Sequence, residues 1–96
     1  MATRHNKILV DHPSWMDTLG KGDACLRSVA EDVYYAKALA ERHGAPKNPK
    51  CTQLLSAAAK SLKILESSAV SSGKRCTEGD RAARKYWEAK VCARES

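Results

Sequence analysis

The sequence predicts an all-α fold: an antiparallel up-down-up three-helix bundle with an N-terminal arm and short helix, stapled by two disulfides. Three observations predict it. Apolar residues recur at spacings of three and four along three separate stretches, the repeat that lines one side of a helix. Residues that start and stop helices punctuate those stretches. Four cysteines, Cys25, Cys51, Cys76 and Cys92, fall at the helix ends. No run alternates with period two, and no repeat or low-complexity tract competes with a helical reading.

Residues 1–20 read as an arm and residues 21–96 as the bundle, together one domain, which is what 96 residues allow. In the arm, Ile8, Leu9 and Val10 make a short apolar patch before a turn at Asp11, His12 and Pro13. Ser14 can cap a brief helix through Leu19, with Asp17 in the capping-box position and Gly20 ending it. The arm reads as lying outside the core. Its patch, with Trp15 and Met16, either folds back or meets a partner, and these five residues are the predicted partner-binding set.

The first long helix is expected from Asp23 to His43, with Cys25, Val29, Val33, Ala36 and Ala40 on one side and Leu26, Ala30 and Leu39 widening that stripe. Asp23 is its expected cap, and Gly44, Ala45 and Pro46 stop it. Asn48 caps the second, where Pro49 takes the first helical position and loses no hydrogen bond by lacking an N–H. Cys51, Leu55, Ala58, Leu62, Leu65 and Ala69 form the cleanest stripe in the chain, Leu54 broadens it, and Gly73 is the expected stop. Thr77 with Asp80 reads as the capping pair of the third helix, which runs to about Arg94. One stripe there is Ala82, Tyr86, Ala89 and Ala93; an adjacent one is Ala83, Trp87 and Val91. Gly79 weakens the first turn slightly.

Helices joined by loops of about five residues run antiparallel. That places Cys25 and Cys76 at one pole and Cys51 and Cys92 at the other. Joining Cys25 to Cys51 would bridge a whole helix, roughly 30 Å at 1.5 Å per residue, whereas a disulfide tolerates about 7 Å between Cα atoms. Of three connectivities, only Cys25 with Cys76 and Cys51 with Cys92 survives. A core without Phe and rich in Ala gains from such staples.

Disulfides call for an oxidising compartment, yet the opening MATRHNKILVDHPSW lacks the apolar run of a signal peptide. Entry into the mitochondrial intermembrane space without a cleaved signal reconciles the two, and a mature secreted chain is the alternative. In general plan the chain resembles the helix-hairpin disulfide proteins of the intermembrane space, although its cysteines stand 26, 25 and 16 positions apart rather than at their short spacing. No apolar stretch approaches the roughly 20 residues of a membrane span, so a soluble chain is expected.

Catalytic chemistry finds no pattern here. Glu31 with Asp32 splays around a helix, and Glu78 with Asp80 occupies a first turn where acids are favoured by the helix dipole. His5, His12 and His43 are scattered, no CxxC or HxxxH occurs, and cysteines at opposite poles cannot share a zinc ion. His43 near Cys51 and Cys92 could serve a thiol nucleophile only if that disulfide were absent. No phosphate loop or dinucleotide fingerprint is present. No cofactor is expected.

Charge remains. The net charge is +6, and residues 44–75 carry Lys47, Lys50, Lys60, Lys63, Lys74 and Arg75 against Glu66 alone. This predicted anion-binding set suits an acidic protein or an anionic lipid surface; nucleic acid suits it less, since aromatic residues do not interleave it. The expected function is that of a non-enzymatic structural or accessory subunit docking on a larger assembly. The alternatives are a secreted helical binding or effector protein and a cytosolic basic nucleic-acid-binding protein with reduced thiols.

Overall fold

The computed structural model describes residues 13–20, 23–42 and 48–95. A short 3₁₀ helix, Ser14–Thr18, precedes α1 (Ala24–Arg42), α2 (Pro49–Glu66) and α3 (Ser72–Glu95), with no strand among the described residues. The helix starts follow from local chemistry. At α2 the Asn48 Oδ1 accepts from the Lys50 N–H at 2.9 Å, with Pro49 following the cap as expected. At the 3₁₀ helix, Pro13 rather than Ser14 holds the cap position, and Met16 N–H donates to the Pro13 carbonyl at 3.1 Å. Asp23 accepts from the Gly20 N–H at 3.1 Å, closing the turn before α1.

The boundary between α2 and α3 differs from expectation. Helix α2 ends at Glu66, not Gly73, and Ala69, expected on its inward stripe, is exposed in the turn that follows. Helix α3 starts at Ser72, with Ser71 Oγ accepting from Lys74 N–H at 3.4 Å. Gly73 thus lies in the first turn of α3, and Thr77, expected to cap, instead donates its hydroxyl to the Gly73 carbonyl at 3.1 Å inside the helix. The cause is the serine-rich stretch Ser67, Ser68, Ser71 and Ser72. Serines offer the backbone side-chain hydrogen bonds outside a helix and so favour turns and caps over helix interiors.

Helix α3 lies between α1 and α2 and packs against both. The disulfides fix the directions: Cys25 and Cys76, near the starts of α1 and α3, are bridged with Cα atoms 6.1 Å apart, and Cys51 near the start of α2 is bridged to Cys92 near the end of α3 at 5.6 Å. Thus α1 and α3 run parallel and α2 opposes them, the up-down-up order. Buried at the centre are Leu26, Ala30, Val33, Tyr34, Ala36 and Ala40 from α1, Ala58, Leu62 and Leu65 from α2, and Ala82, Ala83 and Tyr86 from α3. Burial raises the Tyr86 hydroxyl from 10.0 to about 12, with Glu41 and Glu66 adding to the shift.

The described part of the arm, residues 13–20, is not outside the core. Met16 belongs to the buried cluster, and Trp15 and Leu19 pack against it. For Trp15 and Met16, folding back is the one of the two expected fates that is observed. Arg75 fastens them: its Nε donates to the Leu65 carbonyl at 2.6 Å, while its guanidinium stands 5.1 Å from the Trp15 ring centroid. Beside them Tyr34 donates to Glu66 Oε2 at 2.6 Å, tying α1 to the end of α2. Burial first, and then this bond to a carboxylate, drive the Tyr34 hydroxyl well above its ordinary value.

At Gly79 the side chains of α1 and α2 crowd against the backbone of α3. The glycine is buried, and a Cβ built there would collide with Val29 Cγ1 of α1 and stand 3.1 and 3.3 Å from the Leu65 methyls of α2. Propensity alone makes Gly79→Ala favourable by about 0.5–1 kcal/mol. The β-branched Val29 has little rotamer freedom with which to retreat, and overpacking costs about 1–3 kcal/mol. Gly79→Ala is therefore expected to lower the urea midpoint, and Val29→Ala added to it should recover part of the loss in a double-mutant cycle. A raised midpoint in the single variant would mean that the helices do not meet there.

Candidate docking groove at the second disulfide

The pole closed by Cys51 and Cys92 carries an open groove of about 560 Å³ between α2 and α3. Its walls follow from helical spacing. Lys50 and Leu54 are four apart on α2, as are Trp87 and Val91, and Glu88 and Cys92, on α3, so each pair shares a side of its helix. The capping Asn48 completes the lining.

Trp87 and Val91 are the exposed large apolar side chains of the described structure, at 38% and 48%. They continue the stripe that begins at Ala83, which is buried; the stripe leaves the core as it climbs α3. Tyr35 of α1 flanks Trp87 with ring centroids 6.0 Å apart and planes tilted by 56°. Lys90 Nζ sits 5.0 Å from the centroid of the same ring. Trp87 thus lines the groove with Tyr35 and Lys90 as neighbours while remaining 38% exposed. Of the ionisable residues lining the groove, Glu88 pairs with Lys85 at 3.7 Å, and Lys50 is exposed at the rim.

The sequence-predicted sites fare differently. Both cysteine pairs are joined as expected. In the anion-binding set, Lys47 lies outside the described residues; Lys50, Lys60, Lys63 and Lys74 are exposed, while Arg75 is half-buried and engaged. Lys50 at the start of α2 and Lys74 at the start of α3 occupy opposite poles, so the set is spread along the molecule rather than gathered. In the partner-binding set, Ile8, Leu9 and Val10 lie outside the described residues, and Trp15 and Met16 are packed into the bundle. Glu78, which is buried, pairs with the exposed Arg81 at 3.1 Å, and Asp80 pairs with Arg84 at 3.0 Å on the helix surface. No metal-binding group of three ligands occurs among the described residues, and no described helix is long and apolar enough to cross a membrane.

Sequence reasoning placed Leu54, Trp87 and Val91 on helix faces without recognising that they bound a groove. The available signal was the step from Ala83 to the bulkier Trp87 and Val91, which an inward stripe in an alanine-rich, closely packed bundle cannot accommodate.

Against known protein families, curated proteins and solved structures, the chain has no significant match.

Proposed function

We propose that this chain is a non-enzymatic docking subunit that binds a larger protein assembly through the groove between α2 and α3. The observation that carries this reading is the coincidence of the largest exposed apolar side chains, Trp87 and Val91, with an open groove braced by a disulfide. Grouped apolar exposure rimmed by polar residues is the usual mark of a protein contact, and an exposed tryptophan is the side chain that most often anchors one. The four cysteines are consumed in crosslinks, leaving no thiol nucleophile. Two disulfides are compatible with an oxidising compartment. The intermembrane space is our preferred location, with secretion the alternative.

Purification from the native source with free thiols trapped at lysis tests the reading. Both disulfides are expected intact, with the protein sedimenting in a larger complex; a Trp87→Ala variant that melts like the wild type should sediment alone. A monomer with trapped thiols would overturn the proposal.

A further inference from the structure

The geometry points to an acidic, amphipathic helical segment of a partner protein as the occupant of the groove; the inference rests on the docking reading above and names its ligand. Charge selects the sign. Helix α2 carries three lysines against one glutamate and α3 seven cations against four acids, whereas α1 carries three of each, so the two helices that form the groove hold five of the net six positive charges. Lys50 stands at the rim and Lys90 lies across Trp87, while the one lining carboxylate, Glu88, is already paired with Lys85. A basic segment would meet repulsion on both sides of the groove.

Shape selects a helix. The groove runs between two packed helices and is lined by the apolar side chains of Leu54, Trp87 and Val91, the arrangement into which an amphipathic helix lays its apolar stripe. Carboxylates flanking that stripe would reach Lys50 on one side and Lys90 on the other. Single-stranded nucleic acid fits less well, because Trp87 is the one aromatic ring lining the groove and Lys90 already lies over it, so successive bases have no row of rings on which to stack. A second copy of this chain would bring net +6 against net +6.

The test uses the oxidised full chain and three synthetic helical peptides of equal length. The first has leucines at i, i+3, i+4 and i+7 with glutamates on its outer face. The second replaces the glutamates by lysines, and the third replaces the leucines by serines. The acidic leucine peptide is expected to bind with amide shifts centred on Leu54, Trp87 and Val91, at least tenfold more tightly than either of the others. Lys50→Glu with Lys90→Glu, the first at an exposed and the second at a half-buried position, should abolish that preference and admit the lysine peptide in a variant whose melting shows it still folded. Equal binding of both charged leucine peptides in the groove would overturn the acidic assignment and leave the docking reading standing. Shifts centred elsewhere would overturn both. No binding by any peptide, dimerisation that protects Trp87, or tighter binding of an oligonucleotide or anionic vesicle through the same residues would each overturn the assignment.

Discussion

Leu65→Ala is expected to destabilise the protein by about 2–5 kcal/mol, the range of large-to-small changes in packed cores. Leu65 is fully buried, and its methyl groups are among the atoms nearest to Gly79, where the three helices crowd together. A cavity there has α3 on one side and cannot be closed by a loop shifting inward. Leu62, one turn earlier and 5% exposed, should behave similarly. Lys63, exposed between them, is the control: Lys63→Ala should stay within about 0.5 kcal/mol. Urea unfolding reads both, as a shift in midpoint without a change in slope. Equal losses at Leu65 and Lys63 would mean that α2 is rotated from the orientation described.

How far the sequence revealed this depends on how local the governing physics is. Stripes such as Val33, Ala36 and Ala40, or Ala58, Leu62 and Leu65, are legible because helical periodicity alone decides which side faces inward, and all six are buried. The cysteine pairing was legible for a related reason: helix lengths exceed what a disulfide can bridge, so elimination needs no coordinates. The turn between α2 and α3 was not, because Gly73 and Thr77 are plausible punctuation and only the competition with Ser67 and Ser71 decides between them. Met16 was misread for lack of periodicity; five residues of 3₁₀ helix give no stripe, and its place in the core is made with residues from three later helices. Gly79 shows the same limit from the other side, since local propensity marks it as a weakness whereas its value is the space it leaves for Val29 and Leu65. The groove, finally, depends on where α3 sits relative to two neighbours, which no single-helix pattern encodes.

Replacing Cys51 and Cys92 together by alanine should cost about 4 kcal/mol by loop-closure entropy, within the 2–5 kcal/mol typical of native disulfides in small domains. The two residues lie 41 positions apart, and the Cys25–Cys76 pair, 51 apart, constrains the unfolded chain to a similar degree. Surroundings separate the two. Cys51 is fully buried and Cys92 half-buried, whereas Cys25 is exposed and Cys76 half-buried. Limited reductant should therefore open Cys25–Cys76 first, because exchange requires a thiolate to reach the sulfur, and losing Cys51–Cys92 should carry an added packing penalty. Their functional consequences should diverge further. Cys92 lines the groove, and its bridge fixes the start of α2, with Lys50 and Leu54, against Trp87 and Val91. Removing it should weaken binding of the acidic leucine peptide at a temperature where the variant is still folded. Removing Cys25–Cys76, at the far pole, should lower the melting temperature and leave that affinity unchanged. Peptide mapping of the unreduced protein, circular dichroism and titration of the two double variants measure all three quantities. Equal loss of affinity in both variants would show that the groove depends on the bundle as a whole and not on the bridge beside it.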